Sequence, residues 1–257
     1  MDNYKVNEIF GPTMQGEGPM TGRLMVFVRL LFCDGDGQGH WCSRCDTRYS
    51  WDKDDPGYTF EEMTAEQILQ EVNRRYGANT WKEDRAGTPV TRTVSFSGGN
   101  PVLQMDEGLV ALFRQNKYRV QVETQGTVWK PFLSYCEVAL SPKPPSSGLS
   151  QLTDVQWGEW INNQPKDRLC VKIVVADKAD YEWAKNIYTM LQPSKTGHSK
   201  SIAFYLQPVI DREVKTDIKV ALLYAYKELV EKWLKRGDMP DAIVLPQMHV
   251  LVWGASR

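Results

Sequence analysis

Leu24-Met25-Val26-Phe27-Val28-Arg29-Leu30-Leu31-Phe32-Cys33-Asp34-Gly35-Asp36-Gly37-Gln38-Gly39-His40-Trp41-Cys42-Ser43-Arg44-Cys45-Asp46-Thr47 is the stretch on which the reading of this chain turns. Residues 24–32 are apolar apart from Arg29, and a short apolar run of this kind reads as a strand buried in the core. The glycines after it make a loop. Three thiols, Cys33, Cys42 and Cys45, thus stand on a glycine-rich loop at the end of a core strand, where open α/β sheets and barrels carry their chemistry. Their x8 and x2 spacing makes an incomplete metal site. A structural zinc takes four ligands, and so does a conventional iron–sulfur cluster. Three thiolates suggest a 4Fe–4S cluster with one iron open to another ligand. His40 could instead complete a Cys3His zinc site. Cys42-x-x-Cys45 is shared with zinc knuckles and thiol redox motifs, so the loop by itself leaves both open.

The 257 residues allow a sizeable core. The formal net charge of −1 comes without a basic tail or stripe, so nucleic acid is not an expected partner. No apolar run approaches the ~20 residues of a membrane span, and the N-terminus lacks the features of a signal peptide. Five cysteines, three of them crowded on one loop, do not read as a secreted disulfide framework. A reducing cytoplasm and no membrane contact are the expectation.

Along the chain, residues 7–19 are rich in Gly and Pro. They read as a surface turn, or as a loop whose glycines let backbone approach a polar ligand. Arg29 inside a buried strand needs a counter-charge, which a carboxylate of the chain or of a substrate could supply. Residues 52–58 read as loop. Thr64 and Gln67 form a capping box, with Ile68, Leu69, Val72 and Tyr76 on the apolar face of the helix that follows. A polar connection is expected over 77–89 and a strand over 91–97, ending in Ser97-Gly98-Gly99-Asn100-Pro101. Asp106 caps a helix reaching about 116. Further strands are expected at 119–123, 138–140, 168–176, 203–206 and 242–245, with a short helix before the second of these and another at 181–191. Residues 146–164 are the least regular and read as an excursion or lid, and 192–201 as a polar loop. The longest helix, 217–236, presents Ile218, Leu222, Leu223, Tyr226, Leu229, Val230 and Trp233 and is stopped by Gly237.

This alternation is an α/β fold with a parallel sheet of about six strands. Neither an internal repeat nor a linker is evident, so 1–257 reads as one domain. Polar motifs fall at strand ends, after Phe32, Phe96, Val122, Leu140 and Leu206, which a parallel barrel gathers at one mouth. Each is weak alone. Gly98-Gly99-Asn100-Pro101 is a turn, or a grip on the amino-acid part of a ligand. Ser141-Pro142-Lys143 is a solvated lysine among prolines, or a seat for an anionic or ribose group. Thr47 beside Asp46 is a loop cap, or a pair of oxygens suited to Mg²⁺.

Together these motifs resemble the radical S-adenosylmethionine (SAM) superfamily and, within it, the 7-carboxy-7-deazaguanine synthase family. The resemblance covers nearly the whole chain. It rests on Met14-Gln15-Gly16-Glu17-Gly18, Phe27-Val28-Arg29, Cys42-x-x-Cys45-Asp46-Thr47, Ser97-Gly98-Gly99-Asn100-Pro101, Glu123-Thr124-Gln125-Gly126, Ser141-Pro142-Lys143 and Pro246-Gln247-Met248-His249. It implies a partial (open) parallel β/α barrel, the radical SAM core. Cys33, Cys42 and Cys45 would hold three irons of a 4Fe–4S cluster, and SAM would chelate the fourth. Reductive cleavage of SAM gives a 5′-deoxyadenosyl radical that takes hydrogen from C6 of 6-carboxy-5,6,7,8-tetrahydropterin. Ring contraction and loss of ammonia give 7-carboxy-7-deazaguanine. The cofactor carries the reactivity and the protein supplies orientation.

Carried onto matching positions, the resemblance puts substrate against Met14, Gln15, Gly16, Arg29 and Ser97, with Arg29 on its carboxylate. Thr47 would ligate Mg²⁺. SAM would meet Arg44, Cys45, Asp46, Gly99, Ser141, Pro142, Lys143, Gln207, Pro208, Val209 and Ile210. Glu17, Glu123 and His249 are neighbours without an assigned role. A homodimer and a flavodoxin-like or ferredoxin-like electron donor are implied as well. Two features depart from the family pattern. The first cysteine gap is usually x3, and Arg44 stands where an aromatic residue usually meets adenine, a contact it could replace by stacking its guanidinium or leave to Trp41 or Tyr49. Cys136 and Cys170 lie in apolar surroundings and read as inert core thiols. Alternative readings are a radical SAM activase acting on a partner protein and a zinc-dependent module with Cys33, His40, Cys42 and Cys45 as ligands.

Overall fold

A computed structural model describes residues 3–77, 91–192, 201–210 and 216–254. Strands β1 (Tyr4–Met14), β2 (Leu24–Leu30), β3 (Glu61–Met63), β4 (Arg92–Gly98), β5 (Tyr118–Thr124), β6 (Glu137–Leu140), β7 (Leu169–Val175), β8 (Ala203–Pro208) and β9 (Ile243–Val244) form one sheet in the order β3-β1-β2-β4-β5-β6-β7-β8-β9. From β2 to β9 every neighbouring pair is parallel. The order is linear with β3 and β9 at its edges, so the sheet is an open partial barrel, as expected.

β1 differs from the sequence reading, which took residues 7–19 for a surface turn or a ligand-approaching loop and in either case not for a strand. It pairs antiparallel with β2 from Val6↔Leu30 to Met14↔Leu24. Its register shifts between Phe10 and Thr13, where Gly11 adopts φ 107. A bulge accommodates a Gly-Pro step that would break a regular ladder. The first parallel strand therefore has a neighbour on each side, and residues 15–17 leave β1 directly at the sheet.

The helices begin where side chains can satisfy their free N–H groups. Thr64 and Gln67 close the capping box of α1 (Ala65–Tyr76), which buries the four expected apolar residues. Asp106 accepts from Leu109 N at 2.8 Å to start α2 (Glu107–Gln115). A second capping box, Thr153 with Gln156, opens α3 (Asp154–Asn163). The stretch read as irregular thus holds a helix whose Trp157 and Trp160 lie in the core. α4 (Lys178–Met190) starts a little earlier than expected, capped by Asp177. α5 (Ile218–Arg236) ends at Gly237 in the left-handed region, as expected. It buries Leu222 and Leu229 while Leu223 is exposed. α6 (Met248–Trp253) closes the described chain. The loops expected over 77–89 and 192–201 lie almost wholly outside the described residues.

Alternation along the strands positions the site. One row of side chains (Val26, Val28, Leu30, Val94, Phe96, Val120, Val122, Val171, Ile173, Phe204 and Leu206) joins the helices in the main apolar core. The intervening positions, Arg29, Ser95, Ser97, Gln121, Glu123, Lys172 and Gln207, lie on the opposite face. Apart from small apolar clusters at Met25 with Phe27 and at Ala139, Cys170 and Tyr205, that face is polar and still largely buried: Ser95 is fully buried and Gln121 and Gln207 nearly so.

Candidate active site at the strand ends

The cysteine loop leaves β2 through Phe32, whose φ is 78. Phe32 N donates to Ser50 O at 2.9 Å, and its carbonyl accepts from Asn100 N at 2.7 Å. A side-chain carbon on Gly99 would collide with the Phe32 carbonyl and the Cβ of Cys33. The glycine pair thus lets the end of β4 pack directly under the first cysteine. Asp34 continues the anchorage, accepting from Asn100 Nδ2 at 3.0 Å, from Gln125 Nε2 at 2.7 Å and from the Thr127 hydroxyl. Gln125 Nε2 also donates to Gly35 O at 2.8 Å. At the far end, Ser43 N and Oγ donate to the carbonyls of Ser147 and Ser146. Buried Asp180 on α4 holds that turn by accepting from Ser146 N at 2.9 Å and Oγ at 2.6 Å.

Cys33, Cys42 and Cys45 are free, partly buried thiols. Burial pushes the Cys33 thiol up to about 11, against the pull of the Gly35 amide and of nearby Lys143. Gly35 N lies 3.4 Å from Cys33 Sγ, and Trp51 Nε1 donates to Cys45 Sγ at 3.3 Å. The loop brings the three thiols to one strand end. Among the described residues, however, no three Cys, His, Asp or Glu side chains converge as a metal-holding group. The donor set fits an iron–sulfur cluster: three unpaired thiols, two of them accepting N–H groups of the kind that support thiolate sulfur. His40 is turned the other way. Its Nδ1 is 2.9 Å from Asp36 Oδ2 and its side chain is 66% exposed, so the Cys3His zinc set is not assembled.

The 14–17 segment packs on the polar side of the sheet, against β5, β7, β8 and residues 247–249. Gln15 is buried, donating to Glu123 Oε1 at 2.8 Å and Gln121 Oε1 at 3.2 Å while its oxygen accepts from Gly16 N at 2.9 Å. Its side chain therefore shapes the loop. Gly16 accepts from Met248 N at 3.0 Å, and a side chain there would run into His249. Glu17 pairs with Lys172 of β7 and accepts from Gln247 Nε2 at 2.6 Å and Gln207 Nε2 at 3.0 Å. Burial opposes its ionisation, but Lys172 and then His249 hold its carboxyl well below the usual range. Burial likewise works against the Lys172 charge and is outweighed by Glu17 and Glu123. Glu123 is shifted up by burial, with Lys172 opposing and Glu17 reinforcing.

Arg29 and Ser97 are register partners on β2 and β4. Arg29 Nε donates to Glu8 Oε1 at 2.9 Å, and its guanidinium lies over the rings of Phe10 and Tyr49. A carboxylate of the chain thus meets it, as one of the two sequence readings held. Thr47 Oγ1 donates to Gly98 O at 3.2 Å and lies 3.7 Å from Cys45 Sγ. Arg44 and Asp46 are exposed on the same loop. Ser141 N is tied to Thr124 O at 2.7 Å, Pro142 is buried, and Lys143 lines a small cavity with Gly35, Gln125 and Thr127. Gln207 is turned to Glu17, and Val209 N to Val175 O, just before Ile210. Sequence reasoning missed Asp34, Trp51, Lys172 and Asp180. Lys172 was open to the argument made for Arg29, a cation within an apolar strand. The other three look in sequence like any loop acid (Asp34), helix acid (Asp180) or tryptophan (Trp51).

An open, mostly parallel β/α sheet with three free thiols after its first parallel strand and polar strand ends around them fits the radical SAM class of partial barrels, which implies SAM and a 4Fe–4S cluster. The chain is 34% identical over 266 residues to the 7-carboxy-7-deazaguanine synthase of Bacillus cereus, covering 100% of this chain and 99% of that protein. It is 34% identical to the enzyme of the same name from Bacillus subtilis, covering 98% and 97%. The chain belongs to the 7-carboxy-7-deazaguanine synthase family. The crystal structure of QueE from Escherichia coli shares the fold, with a TM-score of 0.63 at 22% identity over 96% of this chain and 95% of that one. No protein-family model matches the sequence.

Proposed function

We propose that the chain converts 6-carboxy-5,6,7,8-tetrahydropterin to 7-carboxy-7-deazaguanine with loss of ammonia. The observation that carries the reading is the pairing of Arg29 with Ser97 at the same strand ends from which the thiol loop departs. A bidentate cation and a hydroxyl beside a cysteine triad suit a small carboxylated substrate held next to a radical source. They do not suit a macromolecule, which argues against an activase. Cys33, Cys42 and Cys45 would hold the cluster, and when bound with SAM it supplies the hydrogen-abstracting radical. Arg29 and Ser97 orient the carboxylate, and Met14, Gln15 and Gly16 form the wall beside it. Gly99 gives the amino-acid end of SAM access to backbone. Arg44, Cys45, Asp46, Ser141, Pro142, Lys143, Gln207, Pro208, Val209 and Ile210 complete the SAM seat. The Thr47 hydroxyl donates to Gly98 O, which leaves its oxygen lone pairs to Mg²⁺.

The same proposal includes one domain spanning 1–257, a homodimer, a cytoplasmic setting and a flavodoxin-like or ferredoxin-like reductant. The unbroken sheet supports the single domain, and exposed Val220, Leu223 and Tyr224 on α5 give a dimer apolar surface to cover. No helix among the described residues is long and apolar enough to cross a membrane. Anaerobic reconstitution followed by incubation with SAM, Mg²⁺, a reductant and the carboxytetrahydropterin tests the activity. Formation of the deazaguanine acid is expected. A protein that cleaves SAM yet leaves this pterin unchanged would remove the substrate assignment.

A further inference from the structure

The thiol loop is roofed on one side by two tryptophans. Trp41 and Trp51 stack with ring centroids 5.1 Å apart and planes 6° from parallel. Trp41 is 43% exposed, and its Nε1 lies 3.4 Å from Cys33 O. Trp51 is the inner member, and its Nε1 donates to Cys45 Sγ at 3.3 Å. Indole nitrogen is a donor only, so this contact has one direction, N–H toward sulfur. The thiol of Cys33 accepts its N–H from the backbone of Gly35, which no side-chain change removes. The donor on Cys45 belongs to a side chain and can be deleted without touching the chain's course.

We propose that Trp51 is a positioning residue that sets the reduction potential of the cluster held by Cys33, Cys42 and Cys45, through its indole N–H on the Cys45 sulfur. The inference rests on the radical SAM reading of the loop. One-electron reduction adds negative charge to an iron–sulfur core and its thiolates. An N–H aimed at a ligand sulfur stabilises the reduced form more than the oxidised one and raises the potential. The stacked ring of Trp41 fixes the plane of Trp51 and so the direction of that N–H. A phenylalanine at 51 would preserve the stack and lose only the donor. That a tryptophan stands there, with its nitrogen on sulfur, is what the role requires.

The test is a redox titration of the reconstituted protein and of W51F, followed by electron paramagnetic resonance. W51F is expected to keep the parent's iron and sulfide content and to show a more negative midpoint potential. W41F, which keeps the N–H on Cys45, is expected to titrate with the parent. An unshifted W51F, or an equal shift in W41F, overturns the proposal. Should W51F fail to retain a cluster, the parent decides the matter. Electron–nuclear double resonance of its reduced state, in protein carrying 15N only at the tryptophan indole nitrogens, is expected to show a 15N coupling to the cluster through the Trp51–Cys45 contact, and its absence overturns the role. A parent that takes up no iron or sulfide would remove the radical SAM reading and this inference together, a result that metal analysis tells apart from a cluster with an unshifted potential.

Discussion

Arg29 illustrates how much one side chain can be asked to do. Its Nε is engaged by Glu8 and its face by Phe10 and Tyr49, so the guanidinium is held in one orientation before any ligand arrives. Pre-organisation of this kind lowers the entropic cost of binding. Lysine at 29 would keep the charge beside Glu8 but lose the planar fork and the stacking. A charge-assisted hydrogen bond is worth about 1.5–3 kcal/mol, so R29K is expected to raise KM for the pterin roughly ten- to a hundredfold. SAM cleavage without the pterin should be unchanged. Steady-state kinetics check this, and a KM equal to the parent's would take the carboxylate away from Arg29.

At the scale of elements, the cysteine loop is a bridge between two unrelated anchors. Its first half is held by the ends of β4 and β5 through Asp34, and its second by the turn that Asp180 of α4 fixes through Ser146. Asp180 accepts from Ser146 N and Oγ and from Ala176 N, so alanine there leaves three partly buried donors without that acceptor. D180A is expected to loosen the 146–147 carbonyls and with them the Ser43 amide. Hydrogen exchange should then show Ser43 losing its protection while amides of β4 and β5 keep theirs, and equal protection in both proteins would detach α4 from the loop. The elements themselves were largely legible in the sequence. Thr64 with Gln67, Asp106 and Gly237 mark helix ends by local chemistry, and apolar runs mark the parallel strands. β1 was not legible because its bulge hides behind Gly11-Pro12. α3 was not, although Thr153 and Gln156 spell the same capping box as Thr64 and Gln67. That the three thiols, Arg29 and Ser97 lie at neighbouring strand ends was legible because strand ends gather in a parallel sheet. Asp34 and Asp180 could not, since their partners are 66 and 34 residues away and no local pattern reports a contact of that range.

For the molecule as a whole, the Glu17–Lys172 pair joins the residues after β1, the middle of β7 and, through Gln207 and Gln247, the last strands. It closes the polar face of the sheet from both ends of the chain. Lys172 also stands between Glu17 and Glu123 and offsets both. Removing it would leave two buried carboxylates facing each other, and breaking a buried pair from one side costs about 3–5 kcal/mol. K172M is therefore expected to lower stability by about that much at neutral pH, and E17Q/K172M to recover part of it because only Glu123 of the two carboxylates is then left without its cation. The pH dependence follows from the directions of the shifts. Glu17 titrates below its ordinary value of 4.5, so its contribution is present above that pH and is lost as pH falls further. Lys172 titrates above its ordinary 10.5, so its contribution is present below that pH and is lost as pH rises past it. The pair thus stabilises the fold across the whole interval between. Urea unfolding at several pH values checks this: the parent should weaken below about pH 4.5 more steeply than E17Q/K172M. Parallel acid limbs in the two proteins would mean that the junction between the chain's two ends is held by packing alone.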